Sequence, residues 1–230
     1  MLEERNQRIV ETLNRRQPDL TVIMERVHKP HNVSAVARTC DSVGVGKIHA
    51  IVPEGSLRLG GKAASGVQKW VKAKYWRDTR QAVTTLQSEG FTVYAADPNP
   101  DAIDYREIDY CKPTAILLGS ELIGVSDEAR ECADHPMSVP LYGMVESLNV
   151  SVAAAVVLYE AARQRERAGF YQQRRIRDEA FYRLRFEWLH PTVARYCRKH
   201  RLNYPSVDEN GGIVESVSGN SRLGYAKVVR

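Results

Sequence analysis

Residues 139–165 read VPLYGMVESLNVSVAAAVVLYEAARQR. The segment opens on a short β-branched and apolar run, Val139-Pro140-Leu141, and crosses a loop containing Gly143. It then enters a helix at Ser147-Leu148-Asn149, where Ser and Asn oxygens suit the unpaired N–H groups of a first turn. Small residues at 153, 154 and 155 let such a helix lie close against another backbone, and a buried helix is expected. Taken locally, this is a core helix with an ordinary cap; its wider meaning depends on the chain before it.

Working outward, the flanking segments alternate between strand and helix periods. Residues 114–119, TAILLG, form a continuous apolar run of the kind a strand buried on both faces requires. Strands are also expected at 20–24, 47–52, 74–76 and 91–96. Helices are expected at 3–16 with Ile9, Leu13 and Val10 inward, and after Pro30 with Asn32 as cap, ending near Gly44. Further helices are expected at 63–70, at 79–89 before Gly90, and from Ser126 or Asp127. The alternation predicts an α/β domain with a largely parallel sheet over residues 20–165. A helical N-terminal extension (1–19) and a basic helical C-terminal extension and tail (166–230) flank it, the tail loosening from about Asn210.

Charge is unevenly placed. The 230 residues carry a net +5. Residues 163–230 hold 15 basic and 7 acidic groups, whereas residues 27–162 hold 13 and 16. A basic appendage on a near-neutral core points to a polyanionic partner. The first residues, MLEERNQRIVETLNRRQ, lack the apolar core of a signal peptide. The four cysteines (40, 111, 132 and 197) show no metal spacing, so a reduced, cytoplasmic chain without bound metal or membrane span is expected.

Several nucleotide-binding readings fail. Residues 119–126, GSELIGVS, have the glycine spacing of a phosphate loop, but Val125 stands where Lys is required and Glu121 would repel phosphate. No dinucleotide fingerprint follows a strand, and Gly-x-Ser-x-Gly is absent. Three segments remain: NVSAVART (32–39), ILLGSELIGVS (116–126) and residues 139–156.

In order and spacing these three resemble the motifs of the SPOUT superfamily of RNA methyltransferases, in its TrmH-type 2′-O-ribose branch. RRQPDLTV (15–22), VHKPHNVSAVART (27–39), YREIDY (105–110) and LYEAARQR (158–165) extend the likeness to the flanks. The resemblance implies a C-terminal trefoil knot, a homodimer and an S-adenosyl-L-methionine site made by three loops. They correspond to residues 95–97, 118–124 and 139–149, with Ala96, Leu118, Gly119, Val139, Leu141, Met144, Ser147, Leu148 and Asn149 against the cofactor. It also implies methyl transfer to the ribose 2′-hydroxyl of the D-loop guanosine at position 18 of tRNA. Another tRNA or rRNA nucleotide, or a non-catalytic RNA-binding role on the same fold, are the alternatives.

The catalytic set carried over by resemblance is Arg38, Asn32, Glu121, Ser147 and Asn149. Arg38 would bind the neighbouring phosphate and stabilise charge developing on the 2′-oxygen, since a guanidinium donates hydrogen bonds and accepts none. Asn32 would orient Arg38 or the ribose. Ser120 departs from many relatives, which carry Asn there. For tRNA the candidates are Arg8, Arg15, Arg16 and Arg58 with Arg163, Arg165, Arg167, Arg174, Arg175 and Arg177. Arg183 and Arg185 join them, interleaved with Phe170, Tyr171, Phe181 and Tyr182.

Overall fold

The computed structural model describes residues 2–27, 29–52, 66–120 and 123–214. Arg58, Glu121, the loop around Gly55 and the last part of the tail lie outside the described residues. The chain forms two compact units, residues 17–170 and residues 1–16 with 171–230.

The larger unit is built on seven strands: β1 (Leu20–Glu25), β2 (Lys47–Ile51), β3 (Lys72–Trp76), β4 (Thr92–Ala96), β5 (Ile103–Asp104), β6 (Thr114–Leu118) and β7 (His135–Ser138). They pair in the order β3-β2-β1-β6-β4-β7-β5, every pair parallel. All residues of β1 and β6 are buried, as central strands covered on both faces must be. On one face, α2 (Pro30–Ser42) and α5 (Val150–Arg167) pack Val36, Ala37, Ala154, Val157 and Leu158 against Val22, Met24 and Ile116. On the other, α3 (Thr79–Ser88) and α4 (Asp127–Cys132) pack Val83, Leu86 and Ala129 against Ile23, Ala115 and Leu117.

Local chemistry explains the helix starts. Asp78 accepts from Gln81 N at the head of α3, Ser126 from Ala129 N at α4, and Asn149 from Ser151 N at α5. Helix α2 departs from expectation. Pro30 needs no N–H partner and fits its first turn, with Lys29 at the cap position, so Asn32 lies inside the helix and is buried. The helix expected at 63–70 is, in its described part, only a 3-10 turn at Val67–Lys69. Strand β7 has no counterpart among the expected strands, because HPMS is short and carries Pro136, which has no ladder N–H to give. Helix α5 is buried along one side only; Val152 and Tyr159 are 48% and 58% exposed.

The smaller unit contains α1 (Leu2–Asn14), α6 (Asp178–Leu189) and α7 (Pro191–His200). The terminal stretches, expected as separate extensions, pack together here. Ile9 and Leu13 are buried, Arg5 donates to Trp188 O at 2.7 Å, and Arg185 Nε donates to Asn6 Oδ1 at 2.8 Å. Residues 210–214, expected to be loose, close a turn. Val207 bridges Ile213, Gly211 takes φ +90°, and the Gly211 carbonyl lies 2.7 Å from His190 Nε2.

Arg165 is the main correction to the RNA-binding set. It is fully buried. Its Nη1 donates to Asp19 Oδ1 at 2.6 Å and Gln17 Oε1 at 3.0 Å, and its Nε to the Tyr110 carbonyl at 2.8 Å. Its Nη2 reaches the Asp19 and Lys112 carbonyls at 3.1 and 3.3 Å. No phosphate can reach a guanidinium so enclosed. Replacing Arg165 by Met removes a buried charged donor group from the Asp19 carboxylate, Gln17 Oε1 and the Tyr110 carbonyl, and one donor each from the Asp19 and Lys112 carbonyls. Urea unfolding should show a loss of about 3–5 kcal/mol, and a loss below about 1 kcal/mol would contradict the anchoring role.

His49 gives a pH signature. It is buried, and its Nδ1 accepts the Trp76 indole N–H at 2.9 Å. Burial foremost, then Lys47 and Lys74, lower its pKa from 6.5 to about 4. The neutral imidazole is the native form, so its contribution is full above pH 6.5 and is lost as pH falls toward 4. Stability should drop across that window by up to about 3 kcal/mol. His49→Gln should flatten the dependence in urea titrations at several pH values; an unchanged slope would refute it.

Candidate active site

Four neighbouring strands in the order β1-β6-β4-β7 deliver their carboxyl ends to one edge of the sheet. That edge is where open parallel sheets hold ligands. The three loops singled out above leave from β4, β6 and β7, which are consecutive neighbours, so residues far apart in sequence are collected there.

After β6 the backbone folds tightly on itself. Ser120 N donates to Gly124 O at 3.0 Å and Gly124 N to Ser120 O at 2.9 Å, while Ser120 Oγ accepts from Ile123 N at 3.2 Å. A Cβ on Gly119 would lie 2.1 Å from the carbonyl carbon of Gly124, so glycine is required by close approach. Ser120 thus works inside its own loop. Val125 is a buried core residue, and Ser126, the cap residue of α4, faces the Glu25 carboxylate, which accepts from Ser126 N at 3.0 Å. The phosphate-loop reading is excluded by geometry as well as by sequence.

The other two loops supply apolar and backbone surface. Leu118 is buried; Ala96, Val139, Leu141 and Leu148 are half-buried. Tyr142, Met144 and Val145 are 91%, 100% and 62% exposed, and Ser147 is exposed ahead of the helix rather than capping it. Asp97, at the end of β4, is buried and accepts from Arg130 Nε and Nη2 at 3.0 and 3.1 Å; its own N–H donates to Met137 O at 3.0 Å. Beside it, Arg106 hydrogen-bonds Asp104 and holds that carboxyl below the usual carboxylate range.

Motifs one and three meet directly. Asn149 Nδ2 donates to Asn32 Oδ1 at 3.4 Å, and Asn149 Oδ1 accepts from Ser151 N and Oγ at 2.9 and 2.6 Å. Ten residues further along both helices, Tyr159 Oη lies 3.3 Å from Ser42 Oγ, so α2 and α5 run side by side in the same direction. Arg38 is exposed on α2. Six residues place it on a different side of the helix from buried Asn32, whose oxygen is turned to Asn149. Asn32, expected to orient Arg38 or the ribose, is thus tied to Asn149.

The tRNA candidates divide by burial. In the larger unit Arg163 and Arg167 are exposed, with Arg163 paired to Glu160 at 2.7 and 2.6 Å, while Arg165 belongs to the core. In the smaller unit Arg8, Arg15, Arg177 and Arg183 are exposed and Arg175 is half-buried. Arg174 pairs with Asp178 and lies 4.4 Å from the Phe181 ring. Arg16 and Arg185 are buried: Arg16 lies 5.3 Å over Trp188, and Arg185 also donates to Asp208 O at 2.8 Å. Absent from the candidates is α7, where Arg195, Lys199 and His200 are exposed beside Tyr196, with exposed Arg201 at its C-cap. The buried pair Ala194 and Cys197, three residues apart, is the signal that reveals that outward basic face.

Comparison with known proteins agrees with this layout. Residues 19–159 match the SpoU rRNA Methylase family and residues 163–216 the C-terminal region of SpoU rRNA methylases. A tRNA (guanosine(18)-2′-O)-methyltransferase from Thermus thermophilus is 51% identical over 187 residues, covering 81% of this chain and 96% of the relative. The crystal structure of a TrmH/SpoU tRNA modifying enzyme from A. aeolicus superposes with a TM-score of 0.77 at 38% identity, covering 84% of this chain and 98% of that one. An AdoMet-bound rRNA methyltransferase from Sinorhizobium meliloti superposes at 0.57 with 25% identity, over 67% of this chain and 59% of that one. The chain belongs to the SpoU rRNA methylase family.

Proposed function

We propose that this protein transfers a methyl group from S-adenosyl-L-methionine to the ribose 2′-hydroxyl of guanosine 18 of tRNA. The carrying observation is the 51% identity, over nearly the whole of the relative, to an enzyme named for that reaction. The alternative of an rRNA substrate has weaker support, since the rRNA methyltransferase above is only 25% identical and shares 67% of this chain.

The residues at the carboxyl edge fit such a cofactor. Half-buried Val139, Leu141 and Leu148 offer apolar walls, and the Gly119–Gly124 contact leaves a tightly turned backbone whose N–H and C=O groups can read a purine edge. When bound there, the cofactor supplies an electrophilic methyl on a sulfonium. The protein's task is to hold the ribose oxygen in line with it, where positioning does most of the work. Exposed Arg38 binds the phosphate beside the target ribose and stabilises charge growing on the 2′-oxygen. Asn149, tied to Asn32, fixes the loop after β7 against α2. Glu121, Ser147 and Met144 complete the catalytic and cofactor set by resemblance.

The finer architecture follows the same resemblance: β6, β7 and α5 carry a trefoil knot, and two copies form a homodimer in the cytoplasm. Support for the dimer comes from apolar residues left on the surface, Tyr142, Met144 and Val145 in the loop after β7 and Val152 and Tyr159 on α5. Residues 1–19 and 166–230 grip the tRNA through Arg8, Arg15, Arg174, Arg175 and Arg177 and the outward face of α7. Phosphate contacts of this kind make binding salt-dependent.

Labelled methyl transfer to unmodified tRNA should place the label on the ribose of guanosine 18; label elsewhere would refute the substrate assignment. Arg38→Lys keeps the charge but loses the planar fork. Its kcat should fall on the order of a hundredfold, and near-wild-type turnover would remove Arg38 from the mechanism.

A further inference from the structure

We infer that Glu25, Asp97 and Arg130 form a two-sided clamp that positions the turn between β6 and α4 for cofactor binding; the inference rests on the function proposed above. Strand β6 lies between β1 and β4; a buried carboxylate bonded to α4 or its cap stands at the last residue of β1 (Glu25) and at the residue just after β4 (Asp97). Glu25 is the last residue of β1. Its Oε1 accepts from Thr79 Oγ1 and Ser126 Oγ, each at 2.7 Å, and its Oε2 accepts from Ser126 N at 3.0 Å. Ser126 Oγ in turn accepts from Ala129 N at 3.2 Å, so one hydroxyl links the carboxylate to the helix cap. From the other side, Asp97 receives the two-pronged Arg130 contact and Asn99 Nδ2 at 2.9 Å, and Arg130 Nη1 also holds Asp127 at 2.7 Å.

This arrangement exceeds what folding alone needs. Helix α4 has only 6 residues, too few to fix its own direction. Burying carboxylates costs solvation that apolar residues would not, so their value lies in geometry. The start of the turn is held by the Gly119–Gly124 approach and its exit by the clamp, so both ends are fixed. Arg26, next to Glu25, takes φ +52° as the chain turns away toward α2. The Glu25 side chain itself acts on the turn after β6, through Ser126. All three are positioning residues: none needs to touch the cofactor.

The test uses the full chain and measures S-adenosyl-L-methionine binding by calorimetry together with steady-state methylation of tRNA. Glu25→Gln places an amide N–H₂ against existing donors and Arg130→Gln removes the fork. Each should raise the Kd and KM for the cofactor about tenfold. The KM for tRNA and the kcat at saturating cofactor should stay within about twofold. Arg130→Lys should recover part of the loss. Arg130 is half-exposed, so its variants decide the matter where Glu25→Gln fails to fold. Cofactor affinity unchanged in the variants, or tRNA KM rising equally, overturns the inference alone. No cofactor binding by the wild-type chain overturns the functional reading and the clamp with it.

Discussion

The enclosed guanidinium of Arg165 ties together several segments of the larger unit. Its acceptors, the Asp19 carboxylate and the carbonyls of Asp19, Tyr110 and Lys112, cluster just ahead of β1 and β6. They therefore sit at the amino edge of the sheet. The other end of α5 begins at Asn149, which meets Asn32 at the carboxyl edge. An 18-residue helix pinned at both ends must cross the sheet from one edge to the other, antiparallel to the strands. The loop that precedes it is thereby delivered to the edge where the loops after β4 and β6 emerge.

Much of this is legible in the residues. The unbroken apolar run at 114–118 announces a central strand, and Asn149 announces a helix start through ordinary capping chemistry. Other features are illegible for physical reasons. Asn32 has the side chain of a cap, but Pro30 starts the helix two residues earlier and leaves the amide facing Asn149. Arg163, Arg165 and Arg167 look alike in a basic run. Only the turn of α5 decides that Arg165 points into the core and its neighbours two residues away point out. Strand β7 is too short and too proline-marked to declare itself before β4 and β5 flank it.

The site is legible as a set of segments but not as a geometry. Glycine spacing at 119 and 124 suggests phosphate binding in isolation, and Val125 in the lysine position argues against it. The structure supplies the positive reason for the glycine at 119: a side chain there would collide with the backbone of Gly124 and Val125. Glu25 and Asp97 carry no visible signal, because a lone acidic residue at a strand end is commonplace in sequence. Their burial and their shared target on either side of β6 make them distinctive.

A phosphate-binding turn and this turn answer opposite electrostatic demands. The first leaves the N–H groups at a helix start open to an anion. Here the Glu25 carboxylate holds the cap residue Ser126, whose hydroxyl takes the Ala129 N–H, so a negative group already stands at the start of α4. Such a surface favours a ligand read through backbone and apolar contact, and does not attract phosphate. In the function proposed here the anionic partner is met elsewhere: Arg38 on α2 and basic residues of α6 and α7 are exposed. On that proposal, separating the two tasks would let one chain hold a methyl donor at a closely fitted turn while a large polyanion is gripped by side chains that remain in solvent.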